Sequence, residues 1–191
     1  MKVINGLCNL KSNLDNSILT IGKFDGIHLG HQELISDVVK EARHLKGTSV
    51  LLTFDQHPQR LIDPEKKVKI ITPLHQKIRM ISKLGIDVFI ILHFDRHLAL
   101  FSPEDFIGKI ISGRLGTKKM IVGPDFKFGR NRSGNISDLH RFGEKYDFMV
   151  EVIPFVKLGE TRISSTQIRT LVWEKNMDAA YRMLGWNGVF T

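Results

Sequence analysis

The sequence predicts an α/β protein, a five-stranded parallel sheet with helices on both faces. Three observations lead there. Short apolar runs alternate with segments whose apolar residues recur at helical spacing. Glycines and prolines punctuate the junctions between them, and no internal repeat or low-complexity stretch interrupts the alternation.

Composition narrows the class. The 191 residues, 42% of them hydrophobic and 25% charged, suit one globular domain with a sizeable core. Cys8 is the single cysteine, which excludes a disulfide framework and a multi-thiolate zinc site. The longest apolar run, Val88 to Leu92, is far too short to span a membrane. Val3 to Cys8 looks superficially like a lipoprotein cleavage site, but no hydrophobic signal precedes it, so a cytoplasmic location is expected. The net charge of +8 favours anionic partners in general, yet no block of five like charges marks a nucleic-acid surface. Neither nucleic acid nor membrane is an expected partner, and the oligomeric state is left open.

The elements follow in order. A first strand runs from Ile18 to Phe24. A helix from His31 to Lys46 places Leu34, Ile35, Val38, Val39, Ala42 and Leu45 on one face, and Gly47 ends it. Thr48–Phe54 reads as a buried strand. Pro58, Pro64 and Pro73 then rule out continuous regular structure. Helix Leu74–Leu84 leads to strand Asp87–His93. Ser102-Pro103-Glu104-Asp105 opens another helix whose inner stripe is Phe106, Ile107, Ile110 and Ile111. Strand Lys118–Val122 precedes a glycine-rich loop, Gly123 to Asn135. Helix Ile136–Tyr146, strand Phe148–Phe155 and helices Ser165–Lys175 and Met177–Leu184 complete the chain. Sheets of this kind bind ligands beyond the carboxyl ends of their strands, which directs attention to the loops after Phe24, Phe54, His93 and Val122.

The first of these loops, Gly22-Lys23-Phe24-Asp25-Gly26-Ile27-His28-Leu29-Gly30-His31, feeds a helix N-terminus. Glycines there permit close ligand approach, and the unpaired N–H groups and helix dipole attract anions. His28 and His31 can donate to phosphate oxygens. No two glycines lie two positions apart, so the dinucleotide fingerprint is absent, and so is the P-loop. Arg162-Ile163-Ser164-Ser165-Thr166-Gln167-Ile168-Arg169 supplies a second anion wall, a hydroxyl run capping a helix with Arg169 one turn on. His93 and His97 lack the glutamate of zinc proteases and read as loop residues without metal. His44, His75 and His140 read as surface or packing residues, and Trp173 and Trp186 as core or edge packing.

On these motifs the chain resembles the FMN adenylyltransferase module of prokaryotic bifunctional FAD synthetases, within the nucleotidyltransferase superfamily. The resemblance spans Ile18 to Gly185 and rests on Gly22–Gln32, Thr53-Phe54 with His57-Pro58, Val122–Gly129 and Ile163–Arg169. It implies a Rossmann-like nucleotidyltransferase fold over residues 1–185, with 186–191 as a short tail. Gln56 departs from the family, which usually has proline there, and this loosens a stiff turn. The family's riboflavin kinase module with its Pro-Thr-Ala-Asn element is not found before Thr191. The chain is therefore expected to be a stand-alone adenylyltransferase or a piece of a longer protein, without riboflavin kinase activity.

The resemblance further implies that AMP is transferred from ATP to FMN, giving FAD and pyrophosphate. His28, His31 and Arg169 are then the catalytic residues. Gly22, Phe24, Asp25, His28, His31, Ser164, Ser165, Thr166 and Arg169 bind ATP. Phe54, His57, Pro58, Asp125 and Phe128 face the flavin. Mg2+ rides on the ATP phosphates and no metal is held by the chain itself; Asp125 alternatively orients a metal-bound water. Two other readings stand beside this one: another nucleotidyltransferase with the His-Xaa-Gly-His element, and a non-catalytic flavin- or RNA-binding module.

Overall fold

A computed structural model describes residues 1–55 and 69–186. Its central sheet has six strands rather than five: β1 Lys2–Asn5, β2 Ser17–Ile21, β3 Thr48–Phe54, β4 Val88–Leu92, β5 Thr117–Val122 and β6 Met149–Val152. All are parallel, in the order β1-β4-β3-β2-β5-β6. The additional strand is β1, which pairs Lys2 to Asn5 with Val88 to Ile91 at the sheet edge. Only Ile4 of its four residues is buried. A short edge strand needs one apolar anchor and a row of backbone hydrogen bonds, and that leaves almost no periodic signal.

The central strands bury both faces, as parallel sheets covered by helices do. Leu19, Ile21, Val50, Leu52, Ile90, Leu92, Met120 and Val122 enter one apolar cluster. Ile18, Leu51, Phe89, Ile91 and Ile121 alternate into the other. Helices α1 (Leu29–His44) and α2 (Leu74–Lys83) cover the second face. The first face receives the turns α3 (Arg96–Ala99) and α4 (Pro103–Asp105), followed by helix α5 (Ile136–Tyr146). The expected stripe Phe106, Ile107, Ile110 and Ile111 is buried, but Phe106–Ser112 continues α4 as π-helical turns, with Gly113 N–H donating to the Gly108 carbonyl. A small third cluster joins α6 (Ser165–Trp173) and α7 (Met177–Leu184) through Ile163, Ile168, Leu171, Met183 and Leu184, with Ile71. A two-residue hairpin, β7 Lys157–Leu158 with β8 Thr161–Arg162, precedes α6.

The two tryptophans separate. Trp186, assigned by the sequence to a tail, packs on the third cluster and donates from Nε1 to the Gly26 carbonyl at 3.1 Å. Trp173 is 85% exposed, contrary to the packing role expected of it, because the helix buries only Ile168 and Leu171. Among the described residues, no helix is long and apolar enough to cross a membrane.

Topology places the site. β3 and β4 lie on one side of β2, and β5 and β6 on the other. The connection order therefore reverses between β2 and β5, and a crevice opens beyond their carboxyl ends. The Gly22–His28 and Gly123–Asn135 loops rise on either side of it. The second is pinned by a bridge between Phe128 and Gly134 and by Arg130 N–H donating to the Phe101 carbonyl at 2.7 Å. Gly129 makes this possible, with φ 71 and ψ −178, and a β-carbon there would lie 2.6 Å from the Pro103 nitrogen. Gly129→Ala should therefore destabilise the fold by about 2–4 kcal/mol. Urea unfolding checks it, and a loss under about 0.5 kcal/mol would show that the loop does not need this conformation.

Candidate active site

The chain leaves β2 at Gly22 and enters α1 at Leu29 through a strained turn. Phe24 (φ 47) and Ile27 (φ 40) are left-handed, a costly region for bulky and β-branched side chains. The conformation holds because its surroundings over-determine it. Both side chains are buried, and Gly26 N–H donates to Thr72 Oγ1 at 3.1 Å. Gln32 Nε2 donates at 2.8 Å to both the Ile27 and Leu184 carbonyls. Asp25 is the anchor. Its buried carboxylate accepts from Ile71 N–H at 3.0 and 3.2 Å and from Thr72 N–H at 2.9 Å, and it pairs with the Arg169 guanidinium.

His28 caps α1. Its Nδ1 accepts from the His31 backbone N–H at 3.3 Å, so the neutral ring carries its proton on Nε2. The His28 and His31 rings stack with centroids 3.7 Å apart and planes 15° apart. Loss of solvation pushes His28 down to about 4, opposed in part by nearby Asp25 and aided by Arg162. His31 is driven well below the usual histidine range, first by loss of solvation and then by His28 and Lys77. Its Nδ1 is buried and has no hydrogen-bond partner among the described residues. At neutral pH the pair therefore presents uncharged imidazoles, which can donate without a charge of their own.

The opposite wall is the start of α6. Ser164 caps it, accepting from Gln167 N–H at 3.1 Å. Ser165 Oγ donates to the Asp25 carbonyl at 2.7 Å, and Arg169 adds a bond from Nε to the Lys69 carbonyl at 2.8 Å. The first loop thus engages the Ser165 hydroxyl and the Arg169 guanidinium, which fastens the two walls together. Thr166 is exposed on the cleft.

Toward the Gly-rich loop the lining becomes aromatic. Phe54 meets Phe94 edge-on at 5.4 Å. Phe128 is almost fully buried among Phe106, Phe126 and Phe142. Asp125 pairs with Arg162 at 2.5 Å, and that guanidinium lies 3.3 Å from the Phe155 ring centroid. His57, Pro58 and the substituted Gln56 fall outside the described residues. The other residues that the sequence reading assigned to the site, Gly22, Phe24, Asp25, His28, His31, Phe54, Asp125, Phe128, Ser164, Ser165, Thr166 and Arg169, line one cleft of about 750 Å³. That lies within the usual size range of ligand pockets.

Five cationic side chains line this cleft, Lys23, Lys127, Arg132, Arg162 and Arg169, against two carboxylates, Asp25 and Asp125. Each carboxylate is paired with an arginine, and among the described residues Lys23, Lys127 and Arg132 form no ion pair in the cleft. Burial, with Arg132 and Arg169 nearby, lowers the Lys23 ammonium to about 8 despite Asp25. Sequence reading left Lys23, Phe94, Arg132 and Arg162 unassigned. Lys23 and Arg162 stood inside the two strongest motifs, so their place in those motifs was the available signal. Arg132 and Phe94 had none, since only the fold brings their loops to the crevice. His93 bonds Asp55, and His97 lies against the Phe101 ring.

The fold and cleft define an α/β protein with a histidine-capped helix N-terminus at its switch point. The FAD synthetase family profile matches residues 10–167, and the chain belongs to that family. It is 36% identical, over 97% of its length, to the bifunctional riboflavin kinase/FMN adenylyltransferase of Buchnera aphidicola subsp. Schizaphis graminum, of which it covers 60%. For the Escherichia coli K12 protein of the same description the identity is 32%, with 97% of this chain and 59% of the relative covered. The chain thus spans about three fifths of the length of these relatives. A crystal structure described as a macrolide-efflux protein from Streptococcus pneumoniae superposes with a TM-score of 0.85 at 26% identity, over 97% of this chain and 60% of that one.

The neutral histidine pair has a consequence for stability. The unfolded chain takes up a proton at His28 near pH 6.5, whereas the folded chain resists until about pH 4. The associated stability is complete above pH 6.5 and is lost as the pH falls to about 4, amounting to about 3 kcal/mol for His28. Urea unfolding at pH 7 and 4.5 should show a shallower acid loss for His28→Gln than for the wild type. In the wild type the His28 ring should titrate by NMR near 4, and a midpoint of 6 or above would contradict a buried neutral pair.

Proposed function

We propose that this cleft transfers the adenylyl group of ATP to FMN, forming FAD and releasing pyrophosphate. The observation that carries the reading is a histidine-capped helix N-terminus facing a cleft whose cations outnumber their carboxylate partners. Membership of the FAD synthetase family and the relatives' description as FMN adenylyltransferases support the same substrates.

The reaction forms a bond from an FMN phosphate oxygen to the α-phosphorus of ATP. The bond from that phosphorus to the bridging oxygen of the β-phosphate breaks, and its electron pair leaves with pyrophosphate. A phosphate monoester has a second pKa of about 6, so at neutral pH the nucleophile is already a dianion and needs no base. What remains is alignment and stabilisation of charge on the leaving group. Neutral His28, protonated on Nε2, suits the second task, and His31 stacks beside it. The first turn of α6, with Thr166, offers further donors to the β and γ phosphates. The Asp25–Arg169 pair holds both walls at one spacing, while Gly22 and Phe24 shape the nucleotide pocket. Phe54 and Phe94 offer an apolar surface to the flavin ring, with His57 and Pro58 assigned there by family resemblance. Magnesium enters on the ATP as part of the substrate and neutralises phosphate charge. Among the described residues no three His, Cys, Asp or Glu side chains converge to hold an ion.

Incubation with ATP, magnesium and FMN should yield FAD and pyrophosphate in equal amounts. His28→Ala or His31→Ala should lower turnover by about two to three orders of magnitude, with FMN affinity little changed. Chromatography of the flavins with a pyrophosphate assay measures this. A folded wild-type protein that forms no FAD would overturn the enzyme reading.

A further inference from the structure

Two cations of the cleft have no assigned task. Lys23 follows Gly22 at the carboxyl end of β2, and its backbone carbonyl accepts from Lys77 Nζ at 2.5 Å and from Thr53 Oγ1 at 3.4 Å. Its backbone is therefore fixed beside the end of β3, next to Phe54, while its side chain remains half-buried on the cleft wall. Arg132 belongs to the loop that carries Asp125 and Phe128 and reaches the same cleft. It sits in two consecutive left-handed residues, Asn131 (φ 54) and Arg132 (φ 57), an arrangement that costs energy at non-glycine positions. Among the described residues neither side chain forms an ion pair with a carboxylate, and Asp25 and Asp125 are held by Arg169 and Arg162. The fold thus keeps like charges near one another in a partly dry crevice. That is unfavourable for the empty protein and favourable once an anion arrives.

We propose that Lys23 and Arg132 form a clamp for the phosphate monoester of the acceptor, so that the site selects a flavin bearing that phosphate over one without it. This rests on the adenylyl-transfer reading above. Lys23 meets Thr53, next to Phe54, through its carbonyl, and Arg132 lies in the loop that carries Phe128; Phe54 and Phe128 are the residues read as facing the flavin, whereas the reading above gives His28, His31 and Thr166 to the triphosphate. Lys127 and Arg132 are both exposed; Arg132 acts on the Lys23 charge and Lys127 does not figure among the groups that do, so Lys127 is left out of the clamp. The groups acting on the Lys23 charge are Arg132 from the loop after β5, Arg169 from α6 and Asp25 from its own loop, with Lys77 of α2 bonded to its carbonyl. Burial and the two arginines bring the ammonium to about 8, so the clamp weakens as the pH rises past that value.

Flavin fluorescence should show FMN and riboflavin binding to the wild type, to Lys23→Met and to Arg132→Gln, with the KM for ATP measured alongside. Each variant should lose about ten- to a hundredfold in FMN affinity. Riboflavin affinity and the ATP KM should stay within about threefold of the wild type, a contrast that general damage to the pocket would not produce. Lys23→Arg should keep FMN affinity and carry it to higher pH than the wild type, because its charge does not titrate there. Equal loss of both flavins would overturn the clamp, as would an effect on ATP with FMN untouched. FAD formation with unaltered FMN affinity in both charge-removing variants would overturn the clamp alone. A wild-type protein that bound neither flavin would overturn the reaction as well.

Discussion

The buried carboxylate of Asp25 is the interaction on which the site depends. It lies in a turn that two left-handed residues make costly, and it receives backbone N–H groups from Ile71 and Thr72 and the guanidinium of Arg169. One side chain thereby connects the loop after β2, the segment leading into α2 and the helix that carries the hydroxyl run. Ser165 strengthens the connection by donating to the carbonyl of the same aspartate. Removing one member of such a buried pair leaves the other uncompensated, so partner loss is more disruptive than the net worth of the pair suggests.

This pairing also sets the electrostatics of the cleft. Because Asp25 and Asp125 each pair with an arginine, Lys23, Lys127 and Arg132 are the cleft cations that these carboxylates leave over. The histidines contribute differently. Their burial keeps them uncharged, so they provide direction to a hydrogen bond instead of bulk attraction. Neutral imidazoles and these cations line the same cleft.

Much of this was legible in the sequence, for physical reasons. Strands buried on both faces must be continuously apolar, and Thr48–Phe54 was read to its last residue. Helix α5 was equally plain, since the Asn135/Asp138 capping box and its apolar stripe agree. The edge strand β1 escaped because pairing on one side with one buried residue leaves no pattern. Phe106–Ser112 gave its buried face but not its π-helical winding. In the cleft, His28 and His31 were singled out because glycine spacing and helix entry mark them. The engagement of Arg169 by Asp25 was hidden, since 144 residues separate the partners and only the fold joins them. The same holds for Arg162 with Asp125, and for the approach of Arg132 to Lys23.

A double-mutant cycle between Asp25 and Arg169 tests the central claim most directly. Unfolding free energies of the wild type, Asp25→Asn, Arg169→Gln and the double variant give the coupling between the two walls without recourse to catalysis. The pair is largely shielded from water, so a coupling of about 2 kcal/mol is predicted, with the double variant scarcely worse than either single one. Additive single effects, with coupling below about 0.5 kcal/mol, would contradict the account, because the two walls would then be held in place independently of each other.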